Sequence, residues 1–530
     1  MKQYMMAGVL VFSAAAVLTS CNSWLDEETP GITRLDDFFT AGTQTAAENV
    51  VNAAYVPLQW DFGSTYCAEW FIGDVASDDA LKGGQNIADG GAYYDIDNFK
   101  VQSDNQMLLD YYRAQWTGVS RANLAISQLP VMSGDSISAD VRTRLIAEAH
   151  FLRAYYYFRL LRVFGAMPIV DYIVDSSDKW YPARASVEEN YRFIISDLTT
   201  AESGLWEKSQ YADEDLGRAT KGAAQAMLLK VCLYMSDYEQ AKAWGGKVIS
   251  SGQYSLFADF YDNFTLGGEN GSESVFEIQY MDDDMSDYGG FGFTRGTFTQ
   301  VLTRSRSNNL GGGWGFNRPT QDLFDEFETA ADGSVDPRRA MTILVPTAEE
   351  MTNEAEETYC GNIYISKKNA WYNKDNTFAR LSHDSRGPLN NRQIRYSDVL
   401  LMYAEACCEL GDLAASKAAL NQVRSRVGLD GFPYSATIQG QARTFADTQA
   451  DHPPRAPRRA GHGGAPLVRP CALGCGQANP RRLHRSREQR GPRAVGQLCG
   501  GEKRAVPHPH AGAGTERHGT ESGILGKLKS

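Results

Sequence analysis

Nowhere in this chain do eighteen apolar residues follow one another, which excludes a membrane-spanning helix. Positive charge is also scarce. The 530 residues carry 52 Lys and Arg against 65 Asp and Glu, a net charge of −13, whereas a nucleic-acid binder needs a basic face. Catalytic signatures are missing too, with no His-Glu-x-x-His, no Gly-x-Ser-x-Gly and no phosphate loop. Gly311-Gly312-Gly313 lacks the Lys-Ser/Thr that would complete such a loop. Acid pairs such as Asp282-Asp283 are what chance supplies in so acidic a chain, so a glycosidase is not expected. Cys67, Cys232, Cys360, Cys407 and Cys408 show neither disulfide-framework nor zinc spacing, and nothing calls for a metal or cofactor.

The last 80 residues lack something more basic, since not one Phe, Trp or Tyr occurs in them. They hold 15 Lys and Arg against 5 Asp and Glu, a charge of +10, which leaves residues 1–450 at −23. Six of the eight His and nine of the 19 Pro also fall there. Such a segment has little to bury and is expected to be disordered. Cys471, Cys475 and His484 could be read as metal ligands, and the basic run as a binder of anionic surfaces. The change of composition at one point is better explained by two reading frames joined in one chain.

What is present begins with a signal. Lys2 precedes an uncharged apolar run from Met5 to Val17, too short to span a membrane and right for export. The run ends Leu18-Thr19-Ser20-Cys21, which looks like a bacterial lipobox, so residues 1–20 are read as a signal peptide and Cys21 as the lipidated residue. Acyl chains there would tether the protein to a membrane at ~0.8 kcal/mol per buried methylene.

Helical periodicity dominates residues 110–250 and 395–428. Leu145, Ala149, Leu152, Tyr156, Leu160 and Val163 form one face, stopped by Gly165 and Pro168. A second helix runs from Val187 to Leu205, closed near Gly204. Thr220 precedes a third, and Asp237 caps its partner. A later pair comprises Val399 to Leu410, stopped by Gly411, and a helix capped by Asp412 and stopped by Gly428. These antiparallel pairs with two- or three-residue turns have the layout of tetratricopeptide units, so the fold is expected to be mainly α. Residues 252–391 differ, being rich in Gly, Asn, Asp and aromatics with short strand-like runs at Val275–Tyr280 and Ile363–Ser366. They predict an irregular, loop-rich lobe on the helical scaffold, and residues 59–98 share that character.

In order along the chain, these elements resemble the SusD-like (RagB/SusD) family. The resemblance rests on Cys21-Asn-Ser-Trp-Leu25-Asp26, Trp116, Arg121-Ala-Asn123, Glu148-Ala-His-Phe-Leu-Arg153, Phe164-Gly165 and Pro168. It continues through Gly217-Arg218-Ala219-Thr220, Gly313-Trp314-Gly315, Pro319-Thr320, Asp336-Pro337-Arg338, Arg395-Tyr-Ser-Asp398, Ala404-Glu405-Ala406 and Asn421-Gln-Val-Arg424 to Leu429. It implies a domain over 21–440 with four tetratricopeptide-like helix pairs. It further implies a surface-exposed, lipid-anchored outer-membrane protein that binds glycan or another nutrient, without catalysis, and serves a SusC-like TonB-dependent transporter. A helical-repeat scaffold that binds only proteins is the rival reading. Arg153 and Arg218 are expected to form structural ion pairs, His150 to pack, and Gly313 and Gly315 to serve a tight turn.

Residues 441–530 depart from the family, which continues with a helix rich in Arg-Glu-Arg and Glu-Gly-x-Arg-Trp. An allowed set of codons for residues 452–470, displaced by one nucleotide, reads IRHERRVELAMEGHRWFDL. Residues 506–525 likewise shift to FPIPTQELELNGMELNQGY and a stop. A one-nucleotide slip between about Gly440 and His452 accounts for both.

Sugar recognition needs flat apolar surface for C–H faces and fixed polar groups for hydroxyls. Two aromatic loops offer both. One contains Asp78, Asp79, Tyr93, Tyr94 and Asn98, the other Tyr288, Phe291, Phe293, Arg304, Asn308 and Trp314. On this reading, replacing Tyr93 and Tyr94 by Ala abolishes glycan retention without lowering the melting temperature.

Overall fold

The structure is a computed structural model that describes residues 42–61, 69–132, 137–282, 296–310, 312–347, 349–350, 364–368 and 386–445. Cys21, Tyr288, Phe291, Phe293, the side chain of Asn308 and the tail beyond 445 lie outside the described residues.

Eight longer helices form the scaffold: α1 (Gln44–Tyr55), α2 (Gln106–Gln128), α3 (Ala139–Phe164), α4 (Val187–Gly204), α5 (Lys221–Met235), α6 (Tyr238–Ser250), α7 (Tyr396–Glu409) and α8 (Leu413–Ser425). Their starts follow local chemistry. Thr43, Asn105, Ser138, Thr220, Asp237 and Asp412 each accept a hydrogen bond from a first-turn amide, and Ser186 with Glu189 completes a capping box. The turns are as short as the sequence implies. Ser236, in the left-handed region at φ 63°, and Asp237 join α5 to α6, while Leu410, Gly411 and Asp412 join α7 to α8. From α2 to α8 each helix packs on the next, so the hairpins stack into one layered array. Among the described residues no helix is long and apolar enough to cross a membrane.

The centre of this array differs from the expected amphipathic pattern. Every residue of α3 from Phe151 to Leu161 is buried, because α1, α2 and α4 surround it. Its charged residues are therefore inside and must be paired. Arg153 makes a two-pronged contact with Asp197 of α4, at 2.7 Å through both Nε and Nη2, and donates to Asn123 of α2 at 2.9 Å. Glu148 accepts from Arg144 (3.0 Å), Arg218 (3.1 Å) and the Tyr55 hydroxyl (3.0 Å). His150 is 2.7 Å from Asp197, so it belongs to the same polar layer rather than to apolar packing. Close approach of α2 and α3 depends on Gly118, where a Cβ would lie 2.3 Å from the Tyr156 ring.

Cys232, Cys407 and Cys408 are buried, acting as small apolar filler. The strand-like runs form β2 (Ser274–Ile278), which pairs antiparallel with β4 (Asn391–Arg395) on the helical core, and a two-residue strand at Ile365–Ser366. A second pair, β1 (Ala80–Gly83) with β3 (Phe316–Pro319), belongs to a separate, aromatic core. That core draws Trp60, Trp70, Phe71 and Tyr93 together with Phe298 and Phe316, so the lobe is built from both ends of the aromatic sequence.

Candidate functional site

The β1–β3 ribbon brings the two aromatic loops together. Its register places Ala80 opposite Pro319 and Gly83 opposite Phe316. Thr320 extends the pairing, its amide donating to the Asp79 carbonyl (2.9 Å) and its hydroxyl to the Asp78 carbonyl (2.7 Å). Gly84 N–H donates to the Gly315 carbonyl at 2.8 Å. Residues more than two hundred positions apart in sequence are therefore hydrogen-bonded side by side within the lobe.

Three charges, buried Asp61 and Lys82 and half-buried Glu69, hold this lobe in place. Glu69 bridges to Arg159 (2.7 Å) and Arg162 (2.5 Å) on α3. Burial alone would raise its pKa, but the two guanidinium groups bring it down to about 2. Asp61 accepts from the Phe298 amide (3.1 Å) and from the hydroxyls of Thr297 and Thr299, tying the two sides of the aromatic core. Desolvation outweighs those bonds and lifts the Asp61 carboxyl to about 6. Lys82 is fully buried, donates to the carbonyls of Asn86 (3.0 Å) and Asp89, and lies 5.2 Å from the Phe316 ring, which shapes the 83–90 turn. None of the three was legible as a site residue in the sequence, because a lone acid or lysine carries no periodic signal.

The Asp61 shift has a testable consequence. Its folded pKa lies above its unfolded value, so its contribution to stability is greatest below pH 4 and falls as pH rises through about 6. Asp61→Asn is expected to raise the melting temperature at pH 8 relative to the parent and to change it little at pH 4. An equal shift at both pH values in thermal melts would contradict the assignment.

The expected ligand residues divide into two groups. Tyr93 is 7% exposed, its ring stacked on Phe71 at 3.5 Å and edge-on to Phe316 at 6.0 Å. It is a core residue and not an exposed platform, because the helix at Gly91–Asp97 turns its face inward. Arg304 is also buried, with Nε on the Gln300 carbonyl (3.3 Å), and Asp79 is buried in the ribbon. Arg304 closes a longer loop than the tight turn the sequence predicts; in it Gly315 N–H donates to its carbonyl (2.9 Å) and Trp314 N–H to that of Val301 (2.8 Å). Gly313 is obligatory there, since a Cβ would lie 2.7 Å from both the Arg304 and Val301 carbonyls. Gly315 adopts φ 72°.

Tyr94, Asn98, Asp78 and Trp314 are half-buried and keep part of their surface in solvent. Asn98 Nδ2 donates to the Tyr94 carbonyl at 2.8 Å, which fixes both relative to the helix. Two aromatic faces, an amide and a carboxylate on one ordered lobe can stack on pyranose rings and meet hydroxyl pairs. Among the described residues no group of His, Cys, Asp and Glu is arranged to hold a metal.

The described residues form a helical hairpin array, a repeat scaffold that bears an aromatic lobe. Comparison with known proteins narrows this. Residues 272–451 match a sequence model of the SusD family, and residues 24–233 match one described as starch-binding associating with outer membrane. The chain is 25% identical over 454 residues to a SusD-like protein of Bacteroides ovatus, covering 81% of this chain and 78% of that one. It is 26% identical to SusD-like protein P2 of Formosa agariphila, covering 81% and 82%. Among solved structures it resembles a laminarin-binding SusD-like protein (TM-score 0.65, 28% identity, 74% of this chain and 86% of that one). It also resembles surface glycan-binding protein A from Bacteroides thetaiotaomicron in complex with laminarihexaose (TM-score 0.63, 25% identity, 73% and 83%). The chain belongs to the SusD-like family, whose members bind carbohydrate and are not enzymes.

Proposed function

We propose that this protein is a surface glycan-binding lipoprotein. It is held to the outer membrane through Cys21, captures oligosaccharide on the lobe carrying Tyr94, Asn98, Asp78 and Trp314, and delivers it to a SusC-like TonB-dependent transporter. The observation that supports the reading is the β1–β3 ribbon, which pairs the segment leading to Tyr94 with the one following Trp314, both of these aromatics being half-buried. Arg304 keeps a place in the proposal through its backbone bond to Gly315, and Tyr288, outside the described residues, as a candidate from the sequence alone. The laminarin ligands of two structural relatives and the outer-membrane description of one family match support the ligand class and the location.

A native gel containing neutral polysaccharides, laminarin among them, provides the test. The protein should be retarded in at least one gel, and the transporter should co-purify with it from detergent-solubilised outer membranes. Migration unchanged in every gel would favour the protein-binding scaffold instead.

The tail beyond about residue 440 belongs, on this reading, to a shifted frame. The family match ending at residue 451, where the aromatic-free composition begins, supports that view. Sequencing the gene across the codons for Phe432 to Arg459 should reveal one base gained or lost relative to this chain. If no base differs, the tail is genuine.

A further inference from the structure

The connection between α3 and α4, residues 165–186, ends in an unusual tip. Val174, Trp180 and Tyr181 are exposed there at 49%, 45% and 72%, although each is large and apolar. The base of the connection is firmly held. Pro168 bridges to Arg184, Ala185 N–H donates to the Met167 carbonyl (3.2 Å), and Asn190 Nδ2 donates to that same carbonyl (2.9 Å). Buried Asn123 Nδ2 donates to the carbonyls of Val170 (2.8 Å) and Tyr172 (3.1 Å). Nearer the tip, Lys179 pairs with Asp175 at 2.9 Å and donates to the Ile173 carbonyl at 3.3 Å. Trp180 and Tyr181 thus sit on an anchored loop and keep a large part of their apolar surface exposed at a standing hydrophobic cost.

The chemistry around them selects the ligand. Three carboxylates, Asp171, Asp175 and Asp178, stand against Lys179 and Arg184 in the same stretch. The stretch offers no net positive charge to an anionic membrane surface or acidic polymer, whereas carboxylates beside an indole and a phenol suit hydroxyl donors and C–H faces. We propose that the Trp180–Tyr181 tip is a second glycan-contact site, taking a neutral polysaccharide chain in addition to the one held by the lobe. It rests on the glycan-binding reading above and adds that long chains are gripped at two places, so their retention exceeds that of short ones.

The test uses the full-length protein and its W180A/Y181A variant, titrated with laminarin and with laminarihexaose. The variant should keep the parent melting temperature, because both side chains are exposed, and should keep its hexaose affinity. Its laminarin affinity should fall roughly tenfold, the effect of losing two aromatic contacts. Equal laminarin affinity in parent and variant overturns the second site and leaves the lobe reading standing. A parent that binds no neutral polysaccharide, laminarin among them, overturns both. Flotation of the parent, but not the variant, with phosphatidylglycerol vesicles assigns the tip to the membrane and overturns it as a glycan site.

Discussion

Asp197→Ala is expected to destabilise the protein by ~3–5 kcal/mol, because it strands the buried Arg153 guanidinium that both Asp197 oxygens now receive. The side chains of both partners are about 5% exposed, so water cannot replace the lost acceptor. Asn123 supplies one remaining hydrogen bond and the Phe193 ring lies 4.9 Å from the guanidinium carbon, neither of which neutralises the charge. His150 loses its partner in the same step. Chemical denaturation of the variant provides the check. A loss below ~1 kcal/mol, typical of an exposed pair, would show that the layer is solvated. The same experiment separates structure from function for the Glu148-Ala-His-Phe-Leu-Arg153 motif, since a motif that only folds the protein should change stability and leave glycan affinity per folded molecule unaltered.

The second large effect concerns neighbours in sequence with opposite environments. Tyr93→Ala removes a ring packed between Phe71 and Phe316 and is expected to cost ~3–5 kcal/mol through the cavity it leaves. Tyr94→Ala, at a half-buried position on the same helix, should cost far less stability and weaken glycan binding. The sequence-based expectation treated the two alike and anticipated an unchanged melting temperature for the double replacement. The structure divides them. Paired thermal melts and sugar titrations of the two single variants check the division, and equal melting temperatures would contradict it.

That contrast marks what could be read from residues alone. The scaffold was legible because helix signals are local: caps at Thr220, Asp237 and Asp412, and stops at Gly165 and Gly411, all stand where the sequence places them. Burial of α3 on all sides was less visible, since its Glu148, Arg153 and Arg159 read as a polar face until Asp197, Arg218 and Glu69 arrive from distant segments. The candidate site was legible only as two composition-rich loops. Which aromatics face solvent depends on the β1–β3 register and on anchors such as Asp61 and Lys82, and such long-range pairings leave no local periodicity. Tyr93 and Tyr94 cannot be told apart by spacing on a helix of a turn or two. The reading-frame break was the opposite case, a signal carried entirely by composition.

The measurement that bears most directly on the account is a calorimetric titration of laminarihexaose into the parent protein and into Trp314→Ala. Trp314 lies half-exposed on the lobe, and its backbone is held independently by the bond to the Val301 carbonyl. The account predicts saturable binding by the parent and, in the variant, roughly a fivefold loss with the fold retained, as a stacking contact worth about 1 kcal/mol would give. Undiminished binding by Trp314→Ala, or no heat from the parent with this or any other neutral glycan, would contradict it.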